Sequence, residues 1–161
     1  IIPGLVGSEM CIRDRFLMSL NKKMAYDNEN IFAKIIRNEM PCHKVCETDS
    51  IIVFMDIMPM SDGHVLVVPK SHAENIFDLS EECLEEVIKI VKKVSHAIKN
   101  ALQPSGLIIK QFNGADAGQT VFHYHMHIIP VYNGAPNNNH GYKMEKPEKL
   151  ASFAHKIAQE L

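Results

Sequence analysis

Gly118-Gln119-Thr120-Val121-Phe122-His123-Tyr124-His125-Met126-His127-Ile128-Ile129-Pro130 is the stretch on which the reading of this chain turns. Residues 121–131 are mostly β-branched, aromatic or apolar apart from the histidines, a composition that predicts a strand. Side chains alternate between the two faces of a strand. His123, His125 and His127 therefore share one face, and Tyr124, Met126 and Ile128 share the other. The second face suits a core. A lone strand histidine is ordinarily a satisfied, partly buried residue, but three imidazoles on one face beside a polar, Gly-containing loop point to chemistry.

The flanking sequence supplies the rest of a sheet. Residues 107–112 read as the preceding strand, joined to the histidine strand through the loop Asn113-Gly114-Ala115-Asp116-Ala117-Gly118-Gln119-Thr120. Upstream, residues 45–47, 51–56 and 64–68 are short apolar runs separated by polar or Pro-containing turns, which predicts successive antiparallel strands with Pro59 and Gly63 in one connection. The clearest helix is expected over 81–102. Ser80 opens it, Leu84, Val87, Ile88, Val91, Val94, Ile98 and Leu102 form its apolar stripe, acids precede bases along it, and Pro104-Ser105-Gly106 stops it. A short helix over 31–39, capped by Asn28 or Asn30 and ended by Met40-Pro41, and a terminal helix over 147–160 complete the set. The fold class is α+β, a mainly antiparallel five-stranded sheet with one long helix, one short helix and a C-terminal helix.

Composition narrows the function. A chain of 161 residues, 46% hydrophobic and 22% charged, suits one domain with a single core. The formal net charge of −2, with no block of like charges, argues against nucleic acid and anionic membranes as partners. No apolar run reaches the roughly 18 to 20 residues of a membrane span, so a cytoplasmic location is expected. Cys11, Cys42, Cys46 and Cys83 read as reduced thiols rather than a disulfide frame. Residues 1–17 carry no helical or strand period, and Val6-Gly7-Ser8-Glu9-Met10-Cys11-Ile12-Arg13-Asp14-Arg15 resembles the translation of a transposon-end sequencing adapter. Those residues are expected to be a disordered, non-native leader before a natural start at Met18 or Met24. Residues 18–161 then form the single domain, with a motif-bearing core over about 30–131 and an extension over 132–161.

Two chemistries fit the histidine face. For a metal centre, the α-carbons of His123 and His127 lie about 13 Å apart on an extended strand, so at most two of the three imidazoles share an ion. A further ligand would come from His64 or Asp56. For nucleophilic catalysis on phosphorus, a neutral imidazole attacks the phosphoryl centre and water later cleaves the phosphohistidine. That scheme needs a nucleophile of fixed tautomer, an acid for the leaving group and donors for the other oxygens. His125, His127 and the loop 113–120 offer them.

The segment resembles the signature of the histidine triad superfamily, His-φ-His-φ-His-φ-φ. The likeness extends over about two-thirds of the chain, through Ile31-Phe32-Ala33-Lys34-Ile35-Ile36, Met40-Pro41, Phe54-Met55-Asp56-Ile57, Gly63-His64-Val65-Leu66-Val67-Val68-Pro69-Lys70, Asn113-Gly114 and Gly118-Gln119. It is similar to the hydrolase branch that includes the nucleoside phosphoramidate hydrolases. The resemblance implies attack on an α-phosphate, a nucleotidyl-histidine on His125 and release of a nucleoside monophosphate. It places His127 at the α-phosphate and leaving group, and His123 with His64 in an imidazole network that orients His125. It gives Asp56 to the ribose hydroxyls, Phe32, Ile35, Phe54 and Ile57 to a base pocket, and Asn113, Gln119 and Thr120, with Gly118 in the same loop, to the phosphate. Taken alone, Phe32, Ile35 and Phe54 would read as core, Asn113-Gly114 as a tight turn and Thr120 as a β-former.

The branch also predicts a purine nucleotide substrate, no cofactor and a homodimer, which light scattering would register. His127 stands where the transferase branch typically has Gln, which favours hydrolysis. Asn30 and Ala33 stand where many bacterial members carry the Cys-x-x-Cys of a zinc site, so no metal is expected there. Competing readings are a dinucleoside polyphosphate hydrolase of the same superfamily, a His-ligated metallo-phosphohydrolase and a nucleotide-binding module without turnover. The tail after Pro130 is expected to influence the leaving group.

Overall fold

The computed structural model describes residues 25–134 and 143–161. The leader expected over 1–17 and both candidate starts lie outside the described residues. Helix α1 (Ile31–Ile36), strands β1 (Lys44–Glu47), β2 (Ile51–Met55) and β3 (Val65–Pro69), helix α2 (Glu81–Leu102), strands β4 (Gly106–Lys110) and β5 (Met126–Val131), and helix α3 (Pro147–Ala158) follow in chain order. The five strands form one sheet in the order β1-β2-β3-β5-β4, antiparallel at every step. The expected α+β class is the one observed, and none of the described helices is long and apolar enough to cross a membrane.

Strands β2 and β3 are buried at every position, which explains why they read as continuous apolar runs rather than alternating ones. Both faces of the sheet are covered. On one, Ile51, Val53, Val65, Val67, Tyr124 and Ile128 pack with Val87, Val91 and Val94 of α2 and Leu150 and Ile157 of α3. On the other, Ile52, Phe54, Leu66 and Val68 pack with Phe32 and Ile35 of α1. His127 pairs with Leu66 in the β3–β5 ladder and so faces the α1 side. The two faces divide the work between a large core and a small one that borders the histidines.

Local signals set the helix ends. Ser80 accepts a hydrogen bond from Cys83 N, and α2 runs over the residues its stripe predicts before Gln103 turns left-handed ahead of Pro104. Asn30 caps α1 by accepting from Ala33 N. That helix ends at Ile36, short of the expected 39, because Asn38 adopts φ 61° while its N–H reaches Ile35 O and Glu39 N–H reaches Lys34 O. This is a Schellman closure with asparagine in the glycine position.

The histidine strand also begins later than expected, at Met126 rather than Val121. Tyr124 N donates to Ala73 O at 2.7 Å, so residues 121–125 leave the ladder to pin the segment that follows β3. The division of side chains survives, with Tyr124 and Ile128 buried in the large core and His125 and His127 on the opposite side. Gly63 sits at φ 84° in the turn before His64, where a Cβ would stand 2.3 Å from Leu102 Cδ1 and 3.3 Å from Pro130 Cγ. Only glycine lets this turn pass so close beneath the end of α2.

Candidate active site

An apolar cleft of about 250 Å³ opens on the α1 side of the sheet, with His125 and His127 among the residues that line it. Phe32, Ile35, Phe54 and Ile57 line it, together with Asp56 and Thr120, so six of the expected nucleotide contacts share one cleft with the two histidines. Phe32 meets the His125 ring edge-on at 4.9 Å and the Phe54 ring at 5.5 Å. Ile57 differs from the other three in being 48% exposed, which puts it at the rim.

The motif histidines are held by different means. His125 Nδ1 lies 2.6 Å from the carbonyl oxygen of His123. A carbonyl only accepts, so Nδ1 carries the hydrogen and Nε2 is the basic nitrogen. His127 Nδ1 lies 3.0 Å from His64 Nε2. The N–H of Met60 donates to His64 Nδ1 at 3.1 Å, which places the hydrogen of a neutral His64 on Nε2, as donor to His127 Nδ1. His127 therefore carries its own hydrogen on Nε2. The two rings, 5.0 Å apart, have opposite tautomers: one offers a basic Nε2 and the other an Nε2–H.

His123 has no exposed surface and does not contact His64. Its Nε2–H donates to Pro69 O at 2.7 Å, and the hydroxyl of Tyr26 hydrogen-bonds its Nδ1. Burial drives its pKa down to about 4, and a bond to the Pro69 carbonyl only partly offsets that. The expected network orienting His125 is thus distributed differently. His64 supports His127, while His123 orients His125 through its backbone carbonyl. Tyr26 went unnoticed in the sequence, where nothing distinguishes it. Here its hydroxyl accepts from Asn30 Nδ2 at 2.8 Å, and its ring stacks on His72 at 4.7 Å.

Asp56 is buried at the cleft wall, where Oδ1 accepts from Met58 N at 2.8 Å and Oδ2 lies 3.6 Å from His64 Nδ1. Asp56, His64 and His127 each offer a ligand atom, all within 4.8 Å of one another, and could together hold a divalent ion.

The loop expected to hold phosphate has other duties. Both N–H bonds of the Gln119 amide are taken, by Glu74 O at 2.6 Å and Val121 O at 3.0 Å, and its Oε1 accepts from Gly114 N. Asn113 exchanges amide hydrogen bonds with Gln111 and accepts from Ile76 N. These two side chains staple the loop instead of facing the cleft, and Gly118, at φ 95°, caps its short 3-10 turn. Of the expected phosphate contacts with side chains, only Thr120 lines the cleft. Sequence spacing reveals a polar loop but not which of its donors are already spent.

The family described as HIT domain matches residues 37–134, more than half of the chain. The chain belongs to the HIT family. This HIT protein is 39% identical over 135 residues to "Protein hit" of Bacillus subtilis, covering 81% of its own length and 93% of the relative's. It is 36% identical over 137 residues to adenosine 5′-monophosphoramidase hnt1 of Schizosaccharomyces pombe, covering 81% and 97%. A crystal structure of a Hit-like protein from Bartonella henselae, described as involved in cell-cycle regulation and as holding an unknown ligand, matches this HIT protein with TM-score 0.81 and 46% identity, over 86% of this chain and 100% of that one.

Proposed function

We propose that this HIT protein is a nucleotide hydrolase that cleaves at the α-phosphate of purine nucleoside phosphoramidates or related nucleotidyl conjugates and releases a nucleoside monophosphate. One observation carries the proposal: His125 and His127 stand side by side in the lining of an apolar cleft, with hydrogen-bond partners that assign them opposite tautomers. His125 Nε2 attacks phosphorus, the bond to the leaving nitrogen breaks, and His127 Nε2–H supplies the proton that nitrogen needs. Water then attacks the nucleotidyl-His125, passes a proton to His127 Nε2 and returns the electron pair of the phosphorus–nitrogen bond to His125. The N–H of His64 shares its proton with His127 Nδ1 while Nε2 is deprotonated.

The remaining assignments follow the cleft. Phe32, Ile35, Phe54 and Ile57 hold the base, the Asp56 carboxylate takes the ribose hydroxyls and Thr120 meets the phosphate. Gln119 and Asn113 act by keeping the loop in shape. The AMP-phosphoramidase activity named for the fission-yeast relative supports this substrate class.

The test is hydrolysis of adenosine 5′-phosphoramidate by the His125→Ala variant, with and without EDTA. Loss of about 10⁴ to 10⁶ in rate is expected, as for other nucleophiles that act as part of a unit. Undiminished turnover would overturn the mechanism. The Asp56, His64 and His127 cluster favours one second reading, a metallo-phosphohydrolase. Wild-type activity lost in EDTA and restored by zinc would select it.

A further inference from the structure

His127 has two flanks, and the proposed reaction uses only one. Toward α1, rings lead from His125 to Phe32 and on to Phe54, and this is the apolar cleft. In the opposite direction Phe112 meets the His127 ring edge-on at 5.6 Å, and Lys110 Nζ sits 5.2 Å from the centre of the Phe112 ring. Lys110 lies directly opposite His127 in the β4–β5 ladder, so its side chain rises from the same face of the sheet. Neighbour to neighbour, the contacts run Phe54, Phe32, His125, His127, Phe112, Lys110. With a base at the Phe54 end and phosphorus at His125, a group leaving on the other flank of His127 would meet Phe112 and Lys110.

Lys110 is an unusual residue for this place. It is half-buried and, among the described residues, forms no ion pair. Its ammonium has the Phe112 ring and the thioether of Met60, 3.2 Å away, as neighbours. A thioether accepts weakly, and a ring face is a poorer partner for an ammonium than a carboxylate. A half-buried ammonium so poorly matched has capacity left for an anion. Its surroundings are also tied to the catalytic groups, since the N–H of Met60 donates to His64 Nδ1. Gly118 backs the Phe112 ring, where an added Cβ would lie 3.6 Å from Phe112 Cδ1.

We propose that Lys110 determines leaving-group specificity, favouring nucleotidyl conjugates whose leaving group bears negative charge, a sulfate or a phosphate, over those that release a neutral amine. The inference rests on the α-phosphate hydrolase reading and names the substrate class of that same site. With a phosphosulfate, the bond from the α-phosphorus to the bridging oxygen breaks and its electron pair leaves on sulfate as the His125 Nε2–phosphorus bond forms. Water then cleaves that bond to give the nucleoside monophosphate. Sulfate departs without needing a proton, so the ammonium takes over part of the task that His127 performs for an amine.

The experiment compares kcat/KM for adenosine 5′-phosphosulfate and adenosine 5′-phosphoramidate in wild type, Lys110→Met and Lys110→Arg. Lys110→Met is expected to lower the phosphosulfate value about 10- to 100-fold, the range for a charge-assisted hydrogen bond, and the phosphoramidate value less than about threefold. Lys110→Arg should recover most of the loss. Equal loss on both substrates, or none on either, would overturn the proposal. Calorimetry in the His125→Ala background separates this inference from the hydrolase reading. ADP binding more tightly than AMP, by a margin that vanishes when Lys110→Met is added, supports the anion site even if no turnover is found, and it tests phosphate beside sulfate. Equal affinities with and without Lys110 overturn it, whatever the activity assays give.

Discussion

At the first motif position a histidine with no exposed surface is kept neutral. Burial, with smaller contributions from His125 and His72, holds the His123 pKa at about 4 despite the opposing bond to Pro69 O. In the unfolded chain the same ring titrates near 6.5. Below that pH the unfolded state gains a proton that the folded state refuses until about pH 4. The contribution of His123 to stability is therefore complete above about pH 6.5 and is lost as the pH falls through the window down to 4, on the order of 3 kcal/mol in all. Denaturant midpoints measured across that window should decline in wild type and decline less in His123→Gln. Parallel curves for the two proteins would contradict this account. The sequence brought His123 forward as one of a row of equals, whereas the structure gives each histidine its own partner. Two of those partners, Pro69 O for His123 and His64 for His127, lie 54 and 63 residues away along the chain, and the other two, His123 O for His125 and Met60 N for His64, are nearby backbone groups brought into reach by local turns. No spacing rule reports them.

At the scale of elements, legibility depended on whether the signals were local. Helix α2 was readable from end to end because its cap, its stripe and its terminating proline are all written within its own stretch. The start of β5 was not, because the bond that draws residues 121–125 from the ladder comes from Ala73. The end of α1 depended on Asn38 accepting a left-handed conformation, which asparagine tolerates without announcing. The turn that delivers His64 is another tertiary constraint. Gly63→Ala would meet both a positive φ and the Leu102 side chain, for an expected cost of about 1 to 3 kcal/mol. Urea unfolding would read that as a lower midpoint, and hydrolysis should fall with it as His64 is displaced from His127. A midpoint within error of wild type would show that the turn is looser than its packing indicates.

Over the whole molecule the sheet separates stability from chemistry. The face carrying α2 and α3 holds the large core, and the face carrying α1 holds the cleft and the histidines. The C-terminal segment was expected to shape the leaving-group side. Its described helix buries Leu150, Ala154 and Ile157 in the large core on the opposite face. Near the cleft, the segment before that helix makes one backbone bond, from Glu145 N to Ile57 O. Residues 135–142 lie outside the described residues. Helix packing, which the motif does not announce, shows that this tail helps close the core.

The central claim is a covalent nucleotide on His125 followed by attack of water, two displacements at one phosphorus. The steric course at that phosphorus tests it most directly. Each in-line displacement inverts configuration, so hydrolysis of a substrate made chiral at the α-phosphorus by sulfur, run in isotopically labelled water, should proceed with net retention. Net inversion would mean that water attacks phosphorus directly, and would contradict a nucleotidyl-His125 intermediate.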